Sequence, residues 1–151
     1  MISIGPEQFA DHDAQLLVNR YFQELAGRLP SFDEAPPPAS AYQPPEGQFL
    51  VARSDGVAVG CVALRFLDTR TVEIKHIWVD SSFRGSGVGR SLLTAAEVAA
   101  RDADIDRIVL DSNDVLVEAL SLYRSSGYHE IAPYNENPFA ERWFEKQLSH
   151  R

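Results

Sequence analysis

The chain has 151 residues, 44% of them hydrophobic and 24% charged, which places it among globular domains and outside the disordered and fibrous classes. Its formal net charge of −8 argues against nucleic acid as a partner, because phosphate binding needs a basic face; it suits a cationic substrate, although an acidic surface is also an ordinary route to solubility. The single cysteine, Cys61, excludes an intramolecular disulfide and a thiolate metal cluster, and its setting in AVGCVALRF reads as core packing.

The opening MISIGPEQFADHD has no basic region followed by an apolar run, and no window approaches ~18 apolar residues. No leader and no membrane partner are expected, and the expected location is cytoplasmic. Residues 13 to 29 place Ala14, Leu17, Val18, Tyr21, Leu25 and Leu29 at steps of three and four, an amphipathic helix with Asp11 or Asp13 as cap and Pro30 as stop. SFDEAPPPASAYQPPEG, running to Gly47, is too rich in proline for a helix or a central strand. A loop this long inside a small domain usually serves as a lid or a substrate wall.

QFLVARS and VAVGCVALRFLD, split at Asp55 and Gly56, read as a β-hairpin, and TVEIKHIWVD reads as a third strand. Val88, Leu92, Ala95 and Ala99 then recur at helical spacing up to about Arg101. DRIVLDSN is another short strand. The segment from Val115 to Ser126 sets Leu116, Ala119, Leu120 and Tyr123 on one helical face, and Gly127 supplies a left-handed stop. YHEI and ERWFEKQL close the chain as strands joined through APYNENPF. With no repeat and no linker, residues 1–151 read as one domain.

The junction between the third strand and the following helix carries Arg84, Gly85, Ser86, Gly87, Val88, Gly89 and Arg90. Glycines there expose backbone N–H groups at the positive end of a helix, which makes an anion site. A dinucleotide fingerprint GxGxxG fails at Arg90 or at Leu92, and a Walker A loop fails at Arg84 and Arg90. The pattern that fits is Q or R, two variable residues, G, one variable residue, then G or A. It resembles the acetyl-coenzyme A (acetyl-CoA) loop of the Gcn5-related N-acetyltransferases (GNAT). EIKHIWVDSSFRGSGVGRSLL is similar to that family's strand-loop-helix core and ALSLYRSSGYHEI to its next helix, and the order of elements agrees from Phe49 onward.

The resemblance implies an α/β (α+β) fold: a mixed, mostly antiparallel sheet with helices on both faces and a strand splayed beside the cofactor loop. It implies acetyl-CoA as donor, with Arg84 to Arg90 around the pyrophosphate and the backbone of Ile77, Trp78 and Val79 free for the pantetheine arm and the thioester carbonyl. One position departs from the pattern. The family's pantetheine asparagine falls here on Leu116, and Asn113, three residues earlier, is the candidate replacement.

Acetyl transfer to an amine needs a neutral nucleophile, yet an alkyl amine with a pKa near ~10.4 is almost wholly ammonium at neutral pH. By resemblance Glu73 is the base, directly or through water; the alternative is a solvated carboxylate paired with Lys75. His76 is the second candidate, although a lone histidine in an apolar strand is more often a core residue. Tyr123 matches the tyrosine that reprotonates the leaving thiolate, the alternative again being core packing. Phe32, Tyr42, Trp78, Tyr134, Asn135, Asn137 and Trp143 fall in or beside segments that surround the acceptor.

The expected function is acetyl transfer from acetyl-CoA to a small-molecule amine, by direct attack through a tetrahedral intermediate. Two alternatives stand: a protein lysine or N-terminal acetyltransferase, which needs an open groove, and a non-catalytic acyl-CoA sensor, which needs neither Glu73 nor Tyr123. No metal is expected. A homodimer is left open.

Overall fold

In the computed structural model, which describes residues 1–148, the chain forms strands β1 (Ile2–Pro6), β2 (Gly47–Ser54), β3 (Val57–Phe66), β4 (Thr71–Val79), β5 (Arg107–Ser112), β6 (His129–Ile131) and β7 (Arg142–Gln147). The helices are α1 (His12–Arg28), α2 (Val88–Asp102) and α3 (Val117–Ser125), with a 3-10 turn at Ser81–Phe83. One sheet runs in the order β1-β2-β3-β4-β5-β7-β6, antiparallel except for the parallel pair β4 and β5. This is the expected mixed, mostly antiparallel sheet.

Helices cover both faces, which explains why β2 and β3 read as almost continuous apolar runs instead of alternating ones. Phe49, Val51, Cys61 and Ala63 pack under α1 through Leu17, Val18 and Phe22. Leu50, Ala52, Val62 and Leu64 face the other way, onto Leu92, Leu93 and Ala96 of α2. Gly47 is held to glycine by space: a Cβ there would lie 2.6 Å from the Leu64 carbonyl oxygen and 2.9 Å from Tyr42 Cα. Among the described residues no helix is long and apolar enough to cross a membrane.

Three features depart from the expectations. β1 is an additional edge strand, paired with β2 from Ile2↔Ser54 to Pro6↔Leu50; its proline sits at the strand end, where a missing N–H is tolerated. β7 inserts between β5 and β6, so at this end the sheet does not follow chain order. Helix α3 starts later than the periodicity predicts, because Asn113 Oδ1 accepts from Val115 N at 3.0 Å and Leu116 N donates to Asn113 O at 2.9 Å, which holds these residues in a turn. At the head of α1, Asp11 is the cap residue but makes no side-chain cap bond, and Asp13 instead accepts from Arg53 at 3.0 Å.

The sheet opens in its middle. The β4–β5 pairing covers only Thr71↔Arg107, Val72↔Ile108 and Glu73↔Val109, although β4 continues to Val79 and β5 to Ser112. On the other side of β4 the register jumps between Cys61↔Trp78 and Ala63↔Lys75, a bulge in which His76 takes φ 56°. A bulge bends and twists its strand. Here it carries β4 away from β5 and leaves the splay that the resemblance implies.

Candidate active site: a crevice between two parting strands

The gap between β4 and β5 is part of a crevice of about 440 Å³ that reaches from the start of α2 to the loop before β7, within the ~300–1,000 Å³ usual for ligand pockets. At its α2 end, Gly85 and Gly87 have φ values of 81° and 89°. A Cβ on either would meet nothing within 4 Å, so both present bare backbone to the opening. Gly87 caps α2, and the first N–H groups of that helix supply the positive end of its dipole.

The two arginines of the loop both line the crevice, and both are braced. Arg84 donates from Nε to the Val79 carbonyl at 3.0 Å and from Nη2 to Glu24 of α1. Arg90 donates to the hydroxyls of Ser125 and Ser126 at 2.7 and 3.1 Å, tying α2 to the end of α3. Ser86 donates to the Phe83 carbonyl and Val88 is buried in the core; neither lines the opening, whereas Gly89 does.

Ile77, Trp78 and Val79 line the wall that β5 has left. Trp78 donates its indole N–H to Glu24 Oε1 at 3.1 Å. Burial raises the Glu24 carboxyl, but hydrogen bonds from Arg84 and Trp78 outweigh it and hold the group below the usual carboxylate range. Asn113 also lines the crevice, with both ends of its amide engaged: Nδ2 donates to the Phe139 carbonyl at 2.9 Å and Oδ1 accepts from Val115 N. Arg28 spans from α1 to Glu118 and the Val115 carbonyl at the head of α3.

Midway along, Tyr123 of α3 reaches the crevice with 4% of its surface exposed, its ring packed near Tyr128 and Phe144. Burial, and after it the charge of Asp111, pushes its hydroxyl well above the ordinary phenol value, so it stays protonated. Tyr21 of α1 lies on the opposite side and is raised by burial, then by Tyr123 and Asp111. Asp111 itself lines the crevice. Its Oδ2 accepts from Asn135 Nδ2 at 2.7 Å and its Oδ1 from Asn137 Nδ2 at 3.2 Å.

Glu73 is placed differently. It is 2% exposed, accepts from the Tyr134 hydroxyl at 2.6 Å and pairs with Arg65 at 3.3 Å and Lys75 at 3.9 Å. The pairing with Lys75 exists, but the carboxylate is buried and not solvated, and it is not among the residues lining the crevice. His76 does line it, bonded through Nε2 to the Tyr42 hydroxyl at 2.6 Å and surrounded by the rings of Tyr21, Phe22 and Tyr42. Burial, with Lys75 adding to it, lowers His76 to about 3, so the imidazole is neutral.

On the acceptor side, Phe32 and Phe139 line the opening and meet at 4.9 Å between ring centroids, joining the proline loop to the loop before β7. Asn137 lines it as well. Tyr42 stands behind His76, Tyr134 behind Glu73, and Asn135 between Asp111 and Trp143, whose indole N–H it accepts at 2.9 Å. Sequence reasoning missed Asp111 and took Tyr21 for helix core. Asp111 is the one carboxylate inside IVLDS, two residues beyond Val109, but nothing local in that run marks it as facing a crevice.

Comparison with known proteins bears on this geometry. A sequence model of the acetyltransferase (GNAT) family matches residues 15–128. An uncharacterised N-acetyltransferase of Schizosaccharomyces pombe is 36% identical over 132 residues, covering 83% of this chain and 80% of that protein. A protein of Azospirillum brasilense named IAA acetyltransferase is 34% identical over 101 residues, covering 64% of this chain and 65% of that protein. A crystal structure from Klebsiella pneumoniae, described as a candidate acyl-CoA N-acyltransferase, superposes with a TM-score of 0.82 at 27% identity over 99% of both chains. With the bulged and splayed β4, the glycine loop capping α2 and the tyrosine of α3 gathered on one crevice, the chain belongs to the GNAT family of acetyltransferases, which use acetyl-CoA as acetyl donor.

Proposed function

We propose that the protein transfers the acetyl group of acetyl-CoA to the primary amine of a small molecule, by direct attack through a tetrahedral intermediate. One observation supports the substrate class: Phe32 and Phe139 line the acceptor end of the crevice and pack against each other there, which favours a small acceptor over an extended chain. The name of the Azospirillum relative, which gives IAA as what it acetylates, points the same way.

Each end of the crevice has its own task. The N–H groups at the start of α2, with Arg90, bind the diphosphate of the donor. The unpaired edge of β4 at Ile77, Trp78 and Val79 receives the pantetheine arm and donates to the oxyanion, a contribution of ~3 kcal/mol for a well-aimed donor. Tyr123, kept protonated by burial, gives its proton to the leaving thiolate. Glu73 stands one layer back, where it fixes Tyr134 and Lys75 beside the acceptor. The residues 1–151 act as one domain.

The test is free-thiol release from acetyl-CoA with a panel of small primary amines set against lysine-containing and free amino-terminal peptides. Small amines are expected to give the higher kcat/KM. Peptides that match or exceed them would overturn the substrate class, and tight acetyl-CoA binding without release for any acceptor would leave a sensor.

A further inference from the structure

We infer that Asp111 is a catalytic residue, whose carboxylate binds the acceptor ammonium in the crevice and takes the first proton from it. The inference rests on the proposed amine acetylation and names the group that turns the amine into a nucleophile.

Val109 is the last β5 residue paired with β4, opposite Glu73. Asp111 follows it by two, so it keeps the same face of the sheet while lying just past the point where the strands part. Its side chain therefore meets the opening, and Glu73, still inside the ladder, does not.

An ionised carboxylate offers about four acceptor sites. Asn135 and Asn137 fill one on each oxygen, and both donors are neutral amides from the same loop. They orient the group and steady its charge without cancelling it, and among the described residues neither oxygen pairs with a cation. Glu73 is in the opposite condition, paired with Arg65 and Lys75 and bonded by Tyr134. A negative group with open acceptor sites, facing a pocket walled by Phe32 and Phe139, is matched by an ammonium on an apolar body.

Tyr21 from α1, Tyr123 from α3 and Tyr134 from the loop before β7 are raised first by burial; Asp111 comes next for Tyr123, after Tyr123 for Tyr21, and after the hydrogen bond and charge of Glu73 for Tyr134. On β4 the charged groups are Glu73 and Lys75, engaged with each other, and the β7 partner in register is Trp143, which has no charge. The phenols hold their protons and His76 is already neutral with its Nε2 bonded to Tyr42. Of the other carboxylates that line the crevice, Glu24 and Glu118 pair with arginines and Glu34 lies out on the proline loop, which leaves Asp111 as the acceptor where the strands part.

Asp111 takes one proton from the ammonium as the freed nitrogen pair forms the C–N bond to the thioester carbon and the carbonyl π pair moves to oxygen. When that pair returns, the C–S bond breaks and its electrons leave with sulfur. Tyr123 gives its proton to the thiolate and is restored by the second proton of the nitrogen, the amide keeps the third, and Asp111 passes its own to solvent.

The experiment measures thiol release from acetyl-CoA with 2-phenylethylamine as probe, chosen for its aromatic body, in the wild type, Asp111→Asn, Asp111→Glu and Glu73→Gln, from neutral pH up to an alkyl amine pKa near ~10.4. Asp111→Asn is expected to bind acetyl-CoA as the wild type does but to lose ~100-fold or more in kcat/KM near pH 7. It then recovers about tenfold per pH unit, because neutral amine replaces the base, and converges on the wild type. Asp111→Glu restores part of the loss. An Asp111→Asn curve that equals the wild type or runs parallel below it overturns the inference, as does the steep recovery appearing in Glu73→Gln instead. Lost acetyl-CoA binding would mark a folding failure, in which case Asp111→Ser takes its place in every comparison. A wild type that binds acetyl-CoA yet acetylates neither 2-phenylethylamine nor any other primary amine overturns the proposed function, and this inference with it.

Discussion

At φ 89° Gly87 occupies backbone that a β-branched residue enters only under strain, and the Cβ it lacks would project into the opening. Gly87→Val is therefore expected to weaken acetyl-CoA binding by ~10-fold or more, read by calorimetry on folded protein; unchanged affinity would remove the loop from the site. Tyr123→Phe keeps the packing and loses only the hydroxyl. It should leave acetyl-CoA affinity unchanged and lower turnover by up to ~100-fold, because a thiolate with a conjugate acid near ~8.5 is already a fair leaving group. His76 carries a pH signature. The unfolded chain protonates it below its ordinary value of 6.5, whereas the folded protein resists until about 3. The stability its neutral form contributes is complete above pH 6.5 and lost as pH falls toward 3. Urea unfolding of His76→Gln should show a shallower pH dependence across that window than the wild type. The glycine loop was legible in the sequence because its chemistry is contiguous. Asp111 was not, since what makes it a candidate is the parting of two strands and two amides 24 and 26 residues away in the chain.

Among the elements, the two loops that meet over the acceptor end decide what enters. Phe32 comes from the proline loop after α1 and Phe139 from the loop before β7, and their contact at 4.9 Å is of a kind worth ~0.5–1.5 kcal/mol beyond area burial. Phe32→Ala should raise the KM for small amines several-fold and leave acetyl-CoA affinity in place, which steady-state kinetics with each substrate varied in turn would show; a change confined to acetyl-CoA would mean that Phe32 belongs to the donor side. The proline composition pointed to a lid or substrate wall here without naming a partner, because nothing in PYNENPF states which residue lies across from it. The hairpin, the third strand and α2 were readable from periodicity and turn chemistry. β1 was not, since five residues containing a glycine and a proline carry almost no pattern of their own and are held as a strand by their register against β2. The insertion of β7 between β5 and β6 is likewise a long-range choice that local propensity does not encode.

For the molecule as a whole, the closing strands are locked to α2 by a polar cluster inside the second core. Glu97, 7% exposed, accepts from the Tyr128 hydroxyl at 2.9 Å and from Lys146 Nζ at 3.2 Å on each oxygen, while Lys146 also donates to the Ser126 carbonyl at 2.9 Å. Lys146→Met leaves that carboxylate buried without its cation and should cost ~2–3 kcal/mol in denaturant unfolding, below the ~3–5 kcal/mol of a fully buried pair because Lys146 keeps some contact with water. Pairing it with Glu97→Leu should recover much of the loss. The crevice depends on this frame, since α2 carries the glycine loop, β5 carries Asp111 and α3 carries Tyr123 to a common opening. In the proposed reaction an acetyl group passes from acetyl-CoA to a small amine at that opening. The most direct measurement follows free coenzyme A and the acetylated amine together in one reaction of the wild-type protein with acetyl-CoA and a primary amine. Both are expected to appear in equal amounts and only when the amine is present; acetyl-CoA that binds tightly yet releases no thiol with any amine would contradict the proposed transfer.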